Sequence, residues 1–262
     1  MRALSTAATG MAAQQLNVEV ISNNIANMNT VGFKKQRAEF EDLLYQSIER
    51  AGVQSSAGGT IVPTGVQIGS GVKAGSTYRI TSQGALTQTG NQFDLAIDGK
   101  GFFQVLMPSG ETAYTRAGNF SVSQAGQLVT ADGYVVQPAI TVPQGATDVT
   151  VSADGQVQAT IAGQTAPQTV GQLTLANFYN EAGLEALGNN LFLESNASGP
   201  ANLGTPTANG LGKLQQGYTE ASNVDPVSEI TALIVAQRAY EMNSKVVTAA
   251  DQMLQTTSQL KS

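Results

Sequence analysis

Both ends of the chain carry an apolar residue at every seventh position. Near the start these are Leu4, Met11, Val18 and Ile25. Near the end they are Leu233, Tyr240, Val247 and Leu254, beside a parallel row at Ala239, Val246, Met253 and Leu260. A strict seven-residue period belongs to helices that seat one stripe against another helix and supercoil with it. Two such helices, far apart in sequence and flanking a middle of different character, constrain the fold strongly. The chain finishes folding only when its ends are packed together, which is the behaviour of a polymer subunit.

The first helix is predicted over about Ala3–Asn29. Its companion row (Ala8, Gln15, Ser22, Asn29) is small or polar, and Gly10 costs ~1 kcal/mol relative to alanine. Burying four apolar side chains yields roughly 6–12 kcal/mol at most. Ordering each backbone residue costs on the order of 1–2 kcal/mol, so this helix needs partners. Ile21 beside the first stripe and Ile230 at the head of the second complete the expected assembly surface. Asn27, Asn29, Thr30 and Gly32 supply stop signals; Asn24 and Asn27 serve either as helix-end and turn formers or as amides bonding between subunits. The last helix starts at Asp225, as N-cap, with Pro226 in the first turn and Glu229 complementing the dipole. It runs to about Leu260. A row of small residues (Ala236, Asn243, Ala250, Thr257) lets a neighbouring helix approach closely.

Charged residues make up 12% of the chain, against roughly 25% in an ordinary soluble domain, which suits extensive subunit packing. The net charge is −6 and the 13 Lys and Arg residues are scattered, which argues against nucleic acid as a partner. There is no Cys, His or Trp, so zinc, haem and iron–sulfur sites lose their usual ligands and the commonest general base is missing. No cofactor or metal is expected. After Arg2 the apolar residues are interrupted by Ser5, Thr6, Thr9, Gln14 and Gln15, which is no signal-peptide pattern. No stretch is long and apolar enough to span a bilayer, so no direct membrane insertion is expected.

FKKQRAEFEDLLYQSIER is predicted as a short helix or helical connector, with Phe40, Leu43, Leu44 and Ile48 at helical spacing. Ala51 to Gly75, rich in Gly, Ser, Thr and Val, reads as extended or looped. From about Ser76 to Gly217 short alternating runs are punctuated by Asp98-Gly99, Asp132-Gly133 and Asp154-Gly155, the pattern of hairpins in an antiparallel sheet. One helical turn is expected within Glu181–Leu187. There is no nucleophile elbow, and GSGVKAG has the wrong spacing for a phosphate cradle. Asp94 and Asp98 read as turn and edge residues, so no catalytic residues are expected.

Two segments carry a resemblance. ISNNIANMNTVGFKKQRAEFEDLLYQ (21–46) is similar to the N-terminal signature of bacterial flagellar rod and hook proteins, and NVDPVSEITALIVAQRAYEMNSKVVTAADQMLQT (223–256) resembles their C-terminal helix. GALTQTGNQFDLAIDGKGFFQV, YTRAGNF and LVTADGYVVQ are similar to their shared β-domain motifs. EFEDLLYQ and the Gly/Ser/Thr-rich stretch after it resemble the distal-rod members most. Proximal-rod and hook members are the nearest alternatives, and a secreted β-rich adhesin is the alternative from another class. The resemblance implies an α+β fold. Residues 1–32 with 222–262 would form a coiled-coil core domain, 33–75 a connector with a rod-specific segment, and 76–221 a mainly antiparallel β outer domain. It also implies a self-assembling drive shaft in the basal body, spanning the periplasm and exported without a cleaved signal. Proximal-rod and hook proteins would lie at its ends, outer rings around it, and the flagellar export apparatus would deliver it. The segment marked by Gly52, Pro63, Gly65 and Gly71 is the candidate for wedging between neighbours and stiffening the rod.

Overall fold

A computed structural model describes residues 2–49, 64–163 and 166–259. The fold is α+β: helix α1 (Arg2–Ala26) and helix α2 (Pro226–Gln259) flank a run of short, mainly antiparallel strands. Among the described residues no helix is long and apolar enough to cross a membrane. The chain forms two compact units. The first holds α1, the segment Gln36–Tyr78 and α2; the second holds Ala26–Lys35 and Arg79–Val224.

The second unit is built around strand Phe102–Leu106. This strand pairs with Thr112–Thr115 on one side and Val135–Gln137 on the other, and its first residues also pair with Leu175–Asn177. Alternation along these strands sends Phe103 and Val105 to one face, where they meet Leu95, Ile97, Phe120, Leu128, Val136, Leu173 and Leu175 in one buried core. The ring of Phe103 lies edge-on to Phe120 with centroids 5.0 Å apart. On the opposite face Phe102, Tyr114, Phe178 and Phe192 form a second apolar cluster. Asp132-Gly133 and Asp154-Gly155 each lie between strands that pair with one another. The expected helical turn is a 3-10 turn over Glu181–Gly183.

Asp98-Gly99 is not a hairpin turn. Strand Leu95–Asp98 pairs with Lys213–Gln216, from the far end of the unit. The carbonyls of Gly99 and Gly101 are taken by the Arg116 guanidinium at 3.0 and 2.6 Å, so the chain leaves Gly99 for a different sheet.

A buried charge cluster ties this unit together. The Glu220 carboxylate accepts from Lys34 Nζ at 2.5 Å, from Arg116 Nε at 2.8 Å and from the Gly84 N–H at 2.9 Å. All three charged side chains are at most 5% exposed. Burial holds the Lys34 ammonium below its ordinary range, against the upward pull of Glu220. Nearby, the Glu220 carbonyl accepts from the Gly32 N–H. Gly32 has φ +71°, and a Cβ there would sit 2.7 Å from the Ala117 nitrogen, so the predicted helix-stop glycine is also required by close packing.

In the first unit the stretch read as a helical connector is two strands, Gln36–Asp42 and Tyr45–Glu49. They pair with Val72–Arg79 and Val66–Gly69 respectively. The reason is the period: Ala38 is buried and Phe40 half-buried, while the charged Arg37, Glu39 and Glu41 alternate with them and face water. That is a two-residue repeat. Gly52 and Pro63 lie outside the described residues.

Candidate assembly site

The two helices of the first unit run antiparallel. Asn24 meets Glu229 at one end, and Gly10 faces Asn243 further along, where a Cβ on Gly10 would come within 2.9 Å of the Asn243 amide nitrogen. Alanines are prominent among the side chains that the two helices bury. On α2 the seam comprises Glu229, Ala236, Asn243 and Ala250, one residue per heptad, of which only Asn243 is not fully buried. On α1 it comprises Ala7, Ala13, Val20, Ile21 and Asn24. Alanine and glycine let helix axes approach closely at little cost in side-chain entropy.

The large residues of the heptad stripes lie elsewhere. Leu4, Met11, Val18 and Ile25 on α1, with Leu233 and Val247 on α2, are half-buried. Ile230, Tyr240, Val246, Met253 and Leu254 are exposed, and so are Val227, Ile234, Val235 and Met242, at 43–73% of their surface. Gln15, Val18 and Glu19 of α1 face Gln237, Tyr240 and Glu241 of α2 across an open groove of about 370 Å³. Every residue from Asp251 to Gln259 is exposed.

Asn24 is 1% exposed and uses its whole amide. Its Nδ2 donates to the Gln36 carbonyl at 2.8 Å and to Glu229 Oε2 at 3.1 Å, and its Oδ1 accepts from the Gln36 N–H at 2.9 Å. One side chain therefore holds α1, the first strand and α2 together within a single chain. Asn27 and Asn29 sit in the turn after α1, where Thr30 Oγ1 donates to Asn27 Oδ1. Asp225 caps α2, its Oδ2 accepting from the Ser228 hydroxyl at 2.5 Å and the Ser228 N–H at 3.3 Å, and Pro226 opens the helix. Gly71, at φ +122°, packs against Thr9, whose hydroxyl accepts from the Val72 N–H at 3.4 Å. Gly65 lies just before strand Val66–Gly69.

The strand pair that continues from this point is thin. Leu44, Tyr45, Ile48, Val66 and Ile68 are all exposed, Leu44 at 87%. A lone two-stranded ribbon is at best marginally stable in water. Exposed apolar residues therefore concentrate on α2 and on this ribbon, both in the first unit.

Sequence reasoning missed the Lys34–Glu220–Arg116 cluster and the role of Glu229. Glu220 lies 186 residues from Lys34 and 104 from Arg116, and Glu229 lies 205 from Asn24; no local pattern marks such pairs. Asp94 bridges Asn119 and accepts from Thr89 and Asn91, and Asp98, the last residue of its strand, pairs with Lys213 and Gln215.

Three family descriptions match along the chain. They are a flagella basal body rod protein over residues 4–34, a flagellar hook protein FlgE/F/G D1 domain over 96–159, and a flagellar basal body rod FlgEFG protein C-terminal region over 215–260. The outer two cover the helices described above, and the middle one falls on the second unit's core strands. The flagellar basal-body rod protein FlgG of Caulobacter vibrioides is 72% identical over the full length of both chains. That of Agrobacterium fabrum is 54% identical, covering 97% of each chain. That of Bacillus subtilis is 43% identical over all of this chain and 99% of its own. The chain belongs to the FlgG family of flagellar basal-body rod proteins.

Proposed function

We propose that this chain, a structural subunit of the flagellar distal rod, polymerises by covering the large apolar rows of its terminal helices with helices of neighbouring copies. The observation that carries the reading is the inversion along α2: Ala236 and Ala250 are buried within the chain while Tyr240, Val246, Met253 and Leu254 face outward. Each such side chain is worth about 1.5–3 kcal/mol when fully covered. Repeated along every helix, this supplies the drive for assembly, with coiled-coil packing between Leu4, Met11, Val18 and Ile25 and the rows through Ile230, Leu233 and Val247; Ile21, expected on this surface, is instead buried within the single chain. The exposed ribbon at Tyr45–Glu49 and Val66–Gly69 extends the same reading. Lodged between neighbours, it and the segment from Gly52 to Gly71 would remove bending freedom and leave a rod stiff enough to transmit torque.

The finer placement belongs to the same proposal. The rod crosses the periplasm, meets proximal-rod and hook proteins at its ends and outer rings around it, and its subunits arrive through the flagellar export apparatus.

The test is a double substitution, Val246→Asp with Met253→Asp, in full-length protein. Both residues are exposed in the single chain, so its melting temperature and circular dichroism are expected to stay as in the wild type. Polymer formation, followed by sedimentation and electron microscopy, is expected to be lost, and motility with it. A variant that polymerises normally overturns the reading.

A further inference from the structure

The chain contains a single Asn-Gly dipeptide, Asn209-Gly210, and the fold leaves it chemically unprotected. It sits between strands Asn202–Gly204 and Lys213–Gln216 of the second unit. Asn209 and Gly210 both take left-handed backbone, at φ 52° and 77°, and both are exposed. Hydrogen bonds hold the chain on either side: Ala208 N–H to the Thr205 carbonyl, Leu211 N–H to the Ala208 carbonyl, and Thr207 N–H to the Gly212 carbonyl. Among the described residues, neither the Gly210 N–H nor the Asn209 carboxamide has a hydrogen-bond partner. A Cβ placed on Gly210 would meet nothing within 4 Å.

We propose that Asn209 is a site of spontaneous deamidation and backbone isomerisation in the folded protein. The Gly210 amide loses its proton to a solvent base, and the nitrogen attacks Asn209 Cγ. The bond from Cγ to the side-chain nitrogen then breaks, and the nitrogen leaves as ammonia after taking a proton. One water adds to either carbonyl of the resulting succinimide, giving aspartate or isoaspartate. Glycine is the follower that hinders this least, since no Cβ crowds the attacking nitrogen, and a nucleophile held next to its target needs no encounter step.

Comparison within the same unit sharpens the assignment. Asn190 also has positive φ, at 59°, but its amide donates to the Val31 carbonyl at 3.0 Å and a buried leucine follows it. Asn223 donates to Ile80 and Ser82. Both carboxamides are held; that of Asn209 is not.

The product has a structural effect. Isoaspartate threads one extra carbon through the backbone two residues before Leu211, which is 8% exposed and belongs to the main core. The Gly212 N–H next to it is bonded to the Lys100 carbonyl at 2.7 Å. Isomerisation therefore pulls on a core anchor as well as adding a negative charge.

The experiment incubates full-length protein at mildly alkaline pH beside the unstructured peptide Thr-Ala-Asn-Gly-Leu. Mass spectrometry of proteolytic fragments locates the conversion of amide to acid, and chromatography separates aspartate from isoaspartate. Position 209 is expected to convert first among the asparagines, at a rate within about tenfold of the peptide, a barrier difference under about 1.4 kcal/mol. Asn209→Asp should abolish the mass gain at that fragment while leaving the circular dichroism unchanged. Conversion slower than that tenfold limit, or another asparagine converting earlier, overturns the proposal.

Discussion

The two units solve the same problem in opposite ways. The second hides its large side chains: Phe103, Val105, Leu173 and Leu175 are entirely buried, and even its charges are turned inward and matched around Glu220. The first buries alanines and leaves leucine, isoleucine, valine, methionine and tyrosine outside. A sheet unit of this kind is complete as a single chain. The helical unit leaves most of its larger apolar side chains half-buried or exposed, and the proposal above has neighbouring copies cover them. On that proposal, stability and assembly belong to different parts of one sequence, and substitutions should separate them.

The largest effect on the single chain is expected from Phe103→Ala. It removes a fully buried ring and its edge contact with Phe120, which costs about 3–5 kcal/mol. Denaturant unfolding of the full chain would record it, and a loss below 1 kcal/mol would mean that this core is not the stable one. Glu220→Gln comes close behind. It strips the shared carboxylate from Lys34 and Arg116 while both stay buried, at a cost of about 3 kcal/mol, read in the same way. In the helical unit the expected cost is smaller: Asn24→Ala leaves the Gln36 N–H and carbonyl without their side-chain partner, about 1–3 kcal/mol. Hydrogen exchange at the Gln36 amide checks this directly, and unchanged protection there would remove Asn24 from its role. The exposed apolar residues complete the series, because the Val246 and Met253 substitutions proposed above should leave the single chain untouched and act only on the polymer.

Much of this division could be read from the chain. Seven-residue spacing located both helices, Asp225-Pro226 marked the start of the second, and Asp132-Gly133 and Asp154-Gly155 marked paired strands. The row Ala236, Asn243, Ala250 was visible as a path for close approach; that the small row and not the large one faces inward depends on which partner is present, and a single sequence does not say. The stretch Gln36–Glu49 misled because Phe40, Leu43, Leu44 and Ile48 fit a helix while Ala38 and Phe40, alternating with Arg37, Glu39 and Glu41, fit a strand. The choice went to pairing with strands further along the chain, Val72–Arg79 and Val66–Gly69. Asp98-Gly99 misled for a related reason: its strand found Lys213–Gln216, beyond the reach of any local signal.

The Asn24 amide has a consequence for the order in which contacts form. Two of its bonds, to the N–H and carbonyl of Gln36, close a loop of 12 residues; the third, to Glu229, spans 205. The longer closure amounts to about four doublings of loop length, each costing about 0.6 kcal/mol. Contacts of low sequence separation form faster. The end of α1 can therefore be pinned to the first strand while most of the chain is still disordered. Glu229 then arrives at a carboxamide already held in place, and the last helix docks onto a seat that was prepared before it.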